Sequence, residues 1–130
     1  MGEEILLTQQ IKGPEKALAY GSRLVESVLK EDAGALNQLA WMIVAPEAPK
    51  ADAKAVKLAL KAAQRADELA QGKDPGIADT LARAYFDAGK PAKALETQER
   101  AVRLAKGTPV ANDPGVRERL EQYRKAVKPQ

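Results

Sequence analysis

Residues 74–95 read Asp74-Pro75-Gly76-Ile77-Ala78-Asp79-Thr80-Leu81-Ala82-Arg83-Ala84-Tyr85-Phe86-Asp87-Ala88-Gly89-Lys90-Pro91-Ala92-Lys93-Ala94-Leu95. Aspartate before proline marks a helix start. The carboxylate caps free amides, and proline suits the first turn because its missing N–H needs no partner there. Gly89-Lys90-Pro91 marks a stop followed at once by a new start. Between these marks Ile77, Leu81, Ala82 and Tyr85 fall on one face at helical spacing, and Leu95, Ala101, Val102 and Leu104 do so after Pro91. The spacing predicts helices over about 75–88 and 91–106. Their short link makes them antiparallel neighbours.

The same punctuation extends outward. Asp113-Pro114 opens a last helix over about 114–127, and Gly13-Pro14 separates segments at about 2–12 and 14–30. Two more helices are predicted over about 32–45 and 51–71, from Leu36, Leu39, Ala40 and Ile43, then Val56, Ala59, Leu60, Ala63 and Leu69. Composition agrees. The 130 residues include 25 Ala and 14 Leu against 12 Val plus Ile and 5 aromatics. Ala and Leu favour helices, whereas β-branched and aromatic residues favour strands. No Asn-Gly hairpin signal occurs. The expected fold class is all-α.

Composition also restricts chemistry. Cysteine and histidine are absent, which excludes disulfides, thiolate or imidazole metal sites and His-based general acid–base catalysis. Ser22 and Ser27 are the only serines and have no histidine to activate them. No glycine-rich phosphate loop is present. The carboxylate pairs Glu96/Glu99 and Glu118/Glu121 each share one helix with basic residues, so i, i+4 ion pairs (Glu96–Arg100, Glu99–Arg103, Glu121–Lys125) are the expected use. No cofactor or metal is expected, and the chain is read as a non-enzyme.

Net charge is +3, too small for a dedicated nucleic-acid binder. Lys50, Lys54, Lys57, Lys61 and Arg65 form a basic stripe without interleaved aromatics, expected to be a solvated face. No apolar run is long enough to span a bilayer, and the acidic Met1-Gly2-Glu3-Glu4 start is unlike a signal peptide. A soluble protein without a membrane partner is expected. The compartment stays open.

Two stretches align. Leu36-Asn37-Gln38-Leu39-Ala40-Trp41-Met42-Ile43 matches Ala78-Asp79-Thr80-Leu81-Ala82-Arg83-Ala84-Tyr85 at an offset of 42 residues. Lys54-Ala55-Val56 through Lys61-Ala62 matches Lys93-Ala94-Leu95 through Arg100-Ala101 at 39. The loop around Pro46 to Asp52 thus carries about three extra residues. A weaker copy starts at Lys16-Ala17-Leu18. Leu81-Ala82, Tyr85, Gly89, Ala94 and Ala101 within Pro75–Thr108, a 34-residue span, resemble the tetratricopeptide repeat. The likeness covers about 110 of 130 residues. It departs at Leu36 and Ala78, where an aromatic is usual, and at Lys106, where proline is usual. The wording is also similar to bacterial repeat segments appended to other domains, including thioredoxin-like ones.

The resemblance implies one domain, residues 1–130, a right-handed α–α superhelix of three hairpins (about 2–32, 33–74 and 75–108) with a capping helix at about 114–127. It also implies a scaffold that binds a protein or peptide in a concave groove lined by first helices. Asn37, Trp41, Asp79, Arg83, Phe86 and Asp87 fall on or near that groove. Plainer readings are that Trp41 packs on a neighbouring hairpin, and that Asp79, Arg83 and Asp87, spaced i, i+4, i+8, form an ion-pair ladder. The alternative function is a structural or oligomerisation appendage of a larger bacterial enzyme, such as a thioredoxin-like oxidoreductase, without a ligand of its own. Ile5, Leu6, Leu7 and Ile11 sweep too far around a short helix all to face inward. They form the expected association surface, for a dimer or for another domain.

Overall fold

The computed structural model describes residues 31–127, and these are all-helical, without a strand. The helices are α1 (Ala33–Val44), α2 (Ala53–Leu69), α3 (Pro75–Asp87), α4 (Pro91–Ala105) and α5 (Pro114–Val127), with a 3₁₀ turn at Pro109–Asn112. The two segments expected before residue 31, including the Ile5, Leu6, Leu7 and Ile11 surface, lie outside the described residues.

Aspartates start the helices as their sequence context requires. Asp32 accepts from Ala35 N at 3.0 Å, Asp52 from Ala55 N at 2.9 Å and Asp74 from Ile77 N at 3.0 Å. Asp113 accepts from Gly115 N at 2.9 Å, a tighter turn into Pro114. α4 has no side-chain cap, and Pro91 in its first turn removes one orphan donor instead. Left-handed backbone closes two helices. Gly89 (φ 79°) lets Lys90 N donate to Tyr85 O at 2.9 Å, and Gln71 (φ 57°) lets Gly72 N donate to Asp67 O at 2.9 Å.

Each helix packs on the next, and α3 also touches α1 and α5. Contact with all four neighbours explains the composition of α3, where Ile77, Ala78, Asp79, Thr80, Leu81, Ala82 and Ala84 are all buried. Among the described residues 21 apolar ones are buried, and 12 of these are alanine. Small side chains permit close crossings at several faces of one helix but leave no slack. Ala82, fully buried beside Ala94 and Tyr123, is such a point. Ala82→Leu is expected to cost about 1–3 kcal/mol by overpacking. Urea unfolding checks this, and an unchanged midpoint would mean the crossing is loose.

α3 and α5 have the same plan. After their Asp-Pro-Gly starts, α3 buries Ile77, Thr80, Leu81 and Ala84, and α5 buries Val116, Arg119, Leu120 and Tyr123 at matching positions. The next column differs. Ala78 and Ala82, buried in α3, correspond to Arg117 and Glu121, both exposed in α5. α5 therefore has the face that docks on what precedes it, and its neighbouring column is polar. Val127 is 38% exposed at the helix end.

α2 and α4 are also fastened directly. Arg100 makes two 2.9 Å bonds to the Asp67 carboxylate and a third, at 3.0 Å, to Gly72 O. Arg100 thus serves α2 rather than the expected Glu96. No described helix is long and apolar enough to cross a membrane.

Candidate functional site

The six residues assigned to the groove divide into two groups. Asp79 is only 7% exposed, because α5 lies over it. Arg119 donates from Nε to Asp79 Oδ1 at 2.9 Å and from Nη2 to Oδ2 at 2.7 Å. Gln98, fully buried, donates to Asp79 Oδ1 at 2.8 Å and to Val116 O at 2.9 Å. The carboxylate is thereby held by three charge-assisted bonds from two helices. Asp79 pairs across to α5 rather than along α3, so the ladder keeps only its second rung, Arg83–Asp87 at 3.2 Å.

Arg119 reaches further. Its guanidinium lies 5.1 Å from the Trp41 ring centroid, a cation–π distance. Trp41 is half-buried against the α1–α2–α3 core as well. Asn37, one turn earlier, has a buried Oδ1 without a hydrogen-bond partner among the described residues. Phe86 packs on Tyr123 with centroids 4.8 Å apart. Burial lowers the Arg119 pKa, but the Asp79 bonds outweigh it, so the net shift is upward and the guanidinium stays charged.

Arg83, whose guanidinium lies 5.7 Å from the Phe86 ring centroid, also belongs with Asp87 to a second feature. They form one side of a pocket of about 270 Å³ whose other walls are the end of α1 and the enlarged α1–α2 loop. Val44, Pro46, Ala48, Pro49 and Val56 supply its apolar lining, and Lys50 lines it with Arg83 and Asp87. Arg83 Nε donates to Val44 O at 3.1 Å, which ties α3 to the end of α1. Burial raises the Asp87 carboxyl above its ordinary range, more than Arg83 and Lys50 lower it.

Sequence reasoning missed Arg119, Gln98 and this pocket. A signal existed for Arg119. It stands one residue before Leu120, on the face that Val116 and Tyr123 make apolar, where a charge needs a partner. Of the basic stripe, Lys50 lies in the loop, ahead of α2. Arg65 pairs with Glu68 at 2.9 Å and Glu31 at 3.2 Å. On α5, Glu121 pairs with Arg124 instead of Lys125.

Among the described residues no three His, Cys, Asp or Glu side chains are grouped to hold a metal ion. Comparison with protein-family models, curated proteins and solved structures gives no match to this chain.

Proposed function

We propose that this chain is a non-catalytic interaction module of tetratricopeptide type, which takes a peptide segment of a partner protein on the face formed by α1 and α3. The observation that carries this reading is the pocket beside Arg83 and Asp87. It lies where two residues of the expected groove meet a loop longer than its counterpart in the second hairpin. At about 270 Å³ it falls below the roughly 300–1,000 Å³ of small-molecule sites. It has room for protruding side chains. The repeat offsets, the matching plans of α3 and α5 and the alanine crossings support the family assignment.

The test is selection of binders from a phage-displayed library of random 12-residue peptides on the immobilised chain. Selected peptides are expected to lose at least tenfold in affinity on Ala48→Phe or Arg83→Gln, with circular dichroism verifying that both variants fold. Ala48 lies in the loop and lines the pocket, so phenylalanine there fills it without entering a helix. No binders, or binders indifferent to both changes, would sink the reading.

A second reading has an observation of its own. Arg119 covers Trp41 and Asp79, so the chain's own last helix takes part of the face a ligand would use. This favours the appendage role, in which α5 closes the domain and no peptide binds.

A further inference from the structure

We propose that the pocket between α3 and the α1–α2 loop takes an aspartate or glutamate side chain of an acidic peptide, with Lys50 and Arg83 as its donors. The inference rests on the peptide-binding reading and specifies its ligand. Three charged residues line the pocket, Lys50, Arg83 and Asp87, which leaves it one positive charge in excess. Both donors have capacity left. Arg83 spends Nε on Val44 O and Asp87, and its guanidinium lies 5.7 Å over the Phe86 ring and close to the Tyr123 hydroxyl, while its two terminal amino groups are within hydrogen-bond distance of no described residue. A guanidinium offers five N–H donors, and those terminal groups suit a carboxylate. The Lys50 ammonium likewise has no ion pair within bonding distance among the described residues.

The remaining walls define what accompanies the carboxylate. Ile43, Val44, Pro46, Pro49 and Val56 offer no donors from their side chains, so an apolar group beside the acid fits them. A peptide supplies both parts in neighbouring residues. The single excess charge suits a monoanion better than a phosphate dianion, which gains most from several cations. Asp87 limits the affinity, because it presents a like charge to the same ligand.

The experiment uses the selected 12-residue peptides and the full chain. They are expected to share an Asp or Glu position whose change to Asn or Gln weakens binding at least tenfold. Lys50→Glu, on an exposed loop residue, is expected to weaken the same peptides at least tenfold. Asp87→Asn is expected to strengthen them severalfold. Peptides that depend on Ala48 and Arg83 but lack a shared acid, or that ignore Lys50→Glu, overturn this inference and leave the groove reading standing. Tenfold tighter binding of a phosphoserine peptide than of its glutamate counterpart overturns it in favour of phosphorylated partners. Absence of any pocket-dependent peptide removes both.

Discussion

Replacing Arg119 by leucine is expected to lower the unfolding free energy by about 3–5 kcal/mol, the usual cost of stripping one partner from a buried ion pair. Arg119 is 8% and Asp79 7% exposed, and two of the three bonds to the carboxylate come from Arg119. The variant would leave a charged group under α5 with only Gln98 as donor. Asp79→Leu should cost a similar amount, by orphaning the guanidinium. The double variant Asp79→Leu/Arg119→Leu should return to within about 1 kcal/mol of the parent or exceed it, because neither desolvated charge remains. Urea unfolding of the four proteins closes a double-mutant cycle, which isolates the coupling. Additive losses would show that the pair does not act as a unit. The outcome also bears on function. If the pair gives little net stability, its main effect is to fix how α5 lies against α3, and with it how much of Trp41 stays accessible.

The helices themselves were legible because their signals are local. Asp74-Pro75 and Asp113-Pro114 start where the sequence placed them, and the predicted spans at 75–88, 91–106 and 114–127 match α3, α4 and α5 within a residue. α1 and α2 begin one and two residues later than expected, at the residues following Asp32 and Asp52, because those aspartates cap them. Ion-pair partners were harder to foresee. The i, i+4 rule counts neighbours on one helix. It holds for Arg83 with Asp87, yet Arg100 and Arg119 cross to Asp67 and Asp79, 33 and 40 residues away. An arginine on a buried face takes whichever carboxylate the packing brings near, and one-dimensional spacing carries no record of that. The pocket is similar. The three extra residues of the α1–α2 loop were countable, but the cavity depends on where α3 places Arg83 against that loop.

Tyr123→Phe is expected to stabilise the protein by about 1 kcal/mol, whereas Tyr123→Ala is expected to cost about 3–5 kcal/mol. Both figures come from one side chain with two opposing parts. The ring is fully buried, stacked on Phe86 and packed against Ala82 and Ala94, so its removal empties a large volume in a tightly packed region. The hydroxyl is buried with no hydrogen-bond partner among the described residues. Leaving a hydroxyl unmatched in such a place costs about 1–3 kcal/mol, and phenylalanine removes that penalty while keeping the ring. Burial also pushes the phenol far above its ordinary pKa. The nearby Arg83 charge pulls the other way, but too weakly to win. The folded state thus resists ionising Tyr123, which should titrate only as the chain unfolds in strong alkali. A phenol whose folded pKa is raised adds no pH dependence below its unfolded value near 10, and destabilises the fold progressively above it. Difference absorbance at the phenolate band, read beside circular dichroism, checks the coupling of the two events. If Tyr123→Phe instead costs stability at neutral pH, the hydroxyl has a partner, and Arg83 is the group to examine by adding Arg83→Gln to the same cycle.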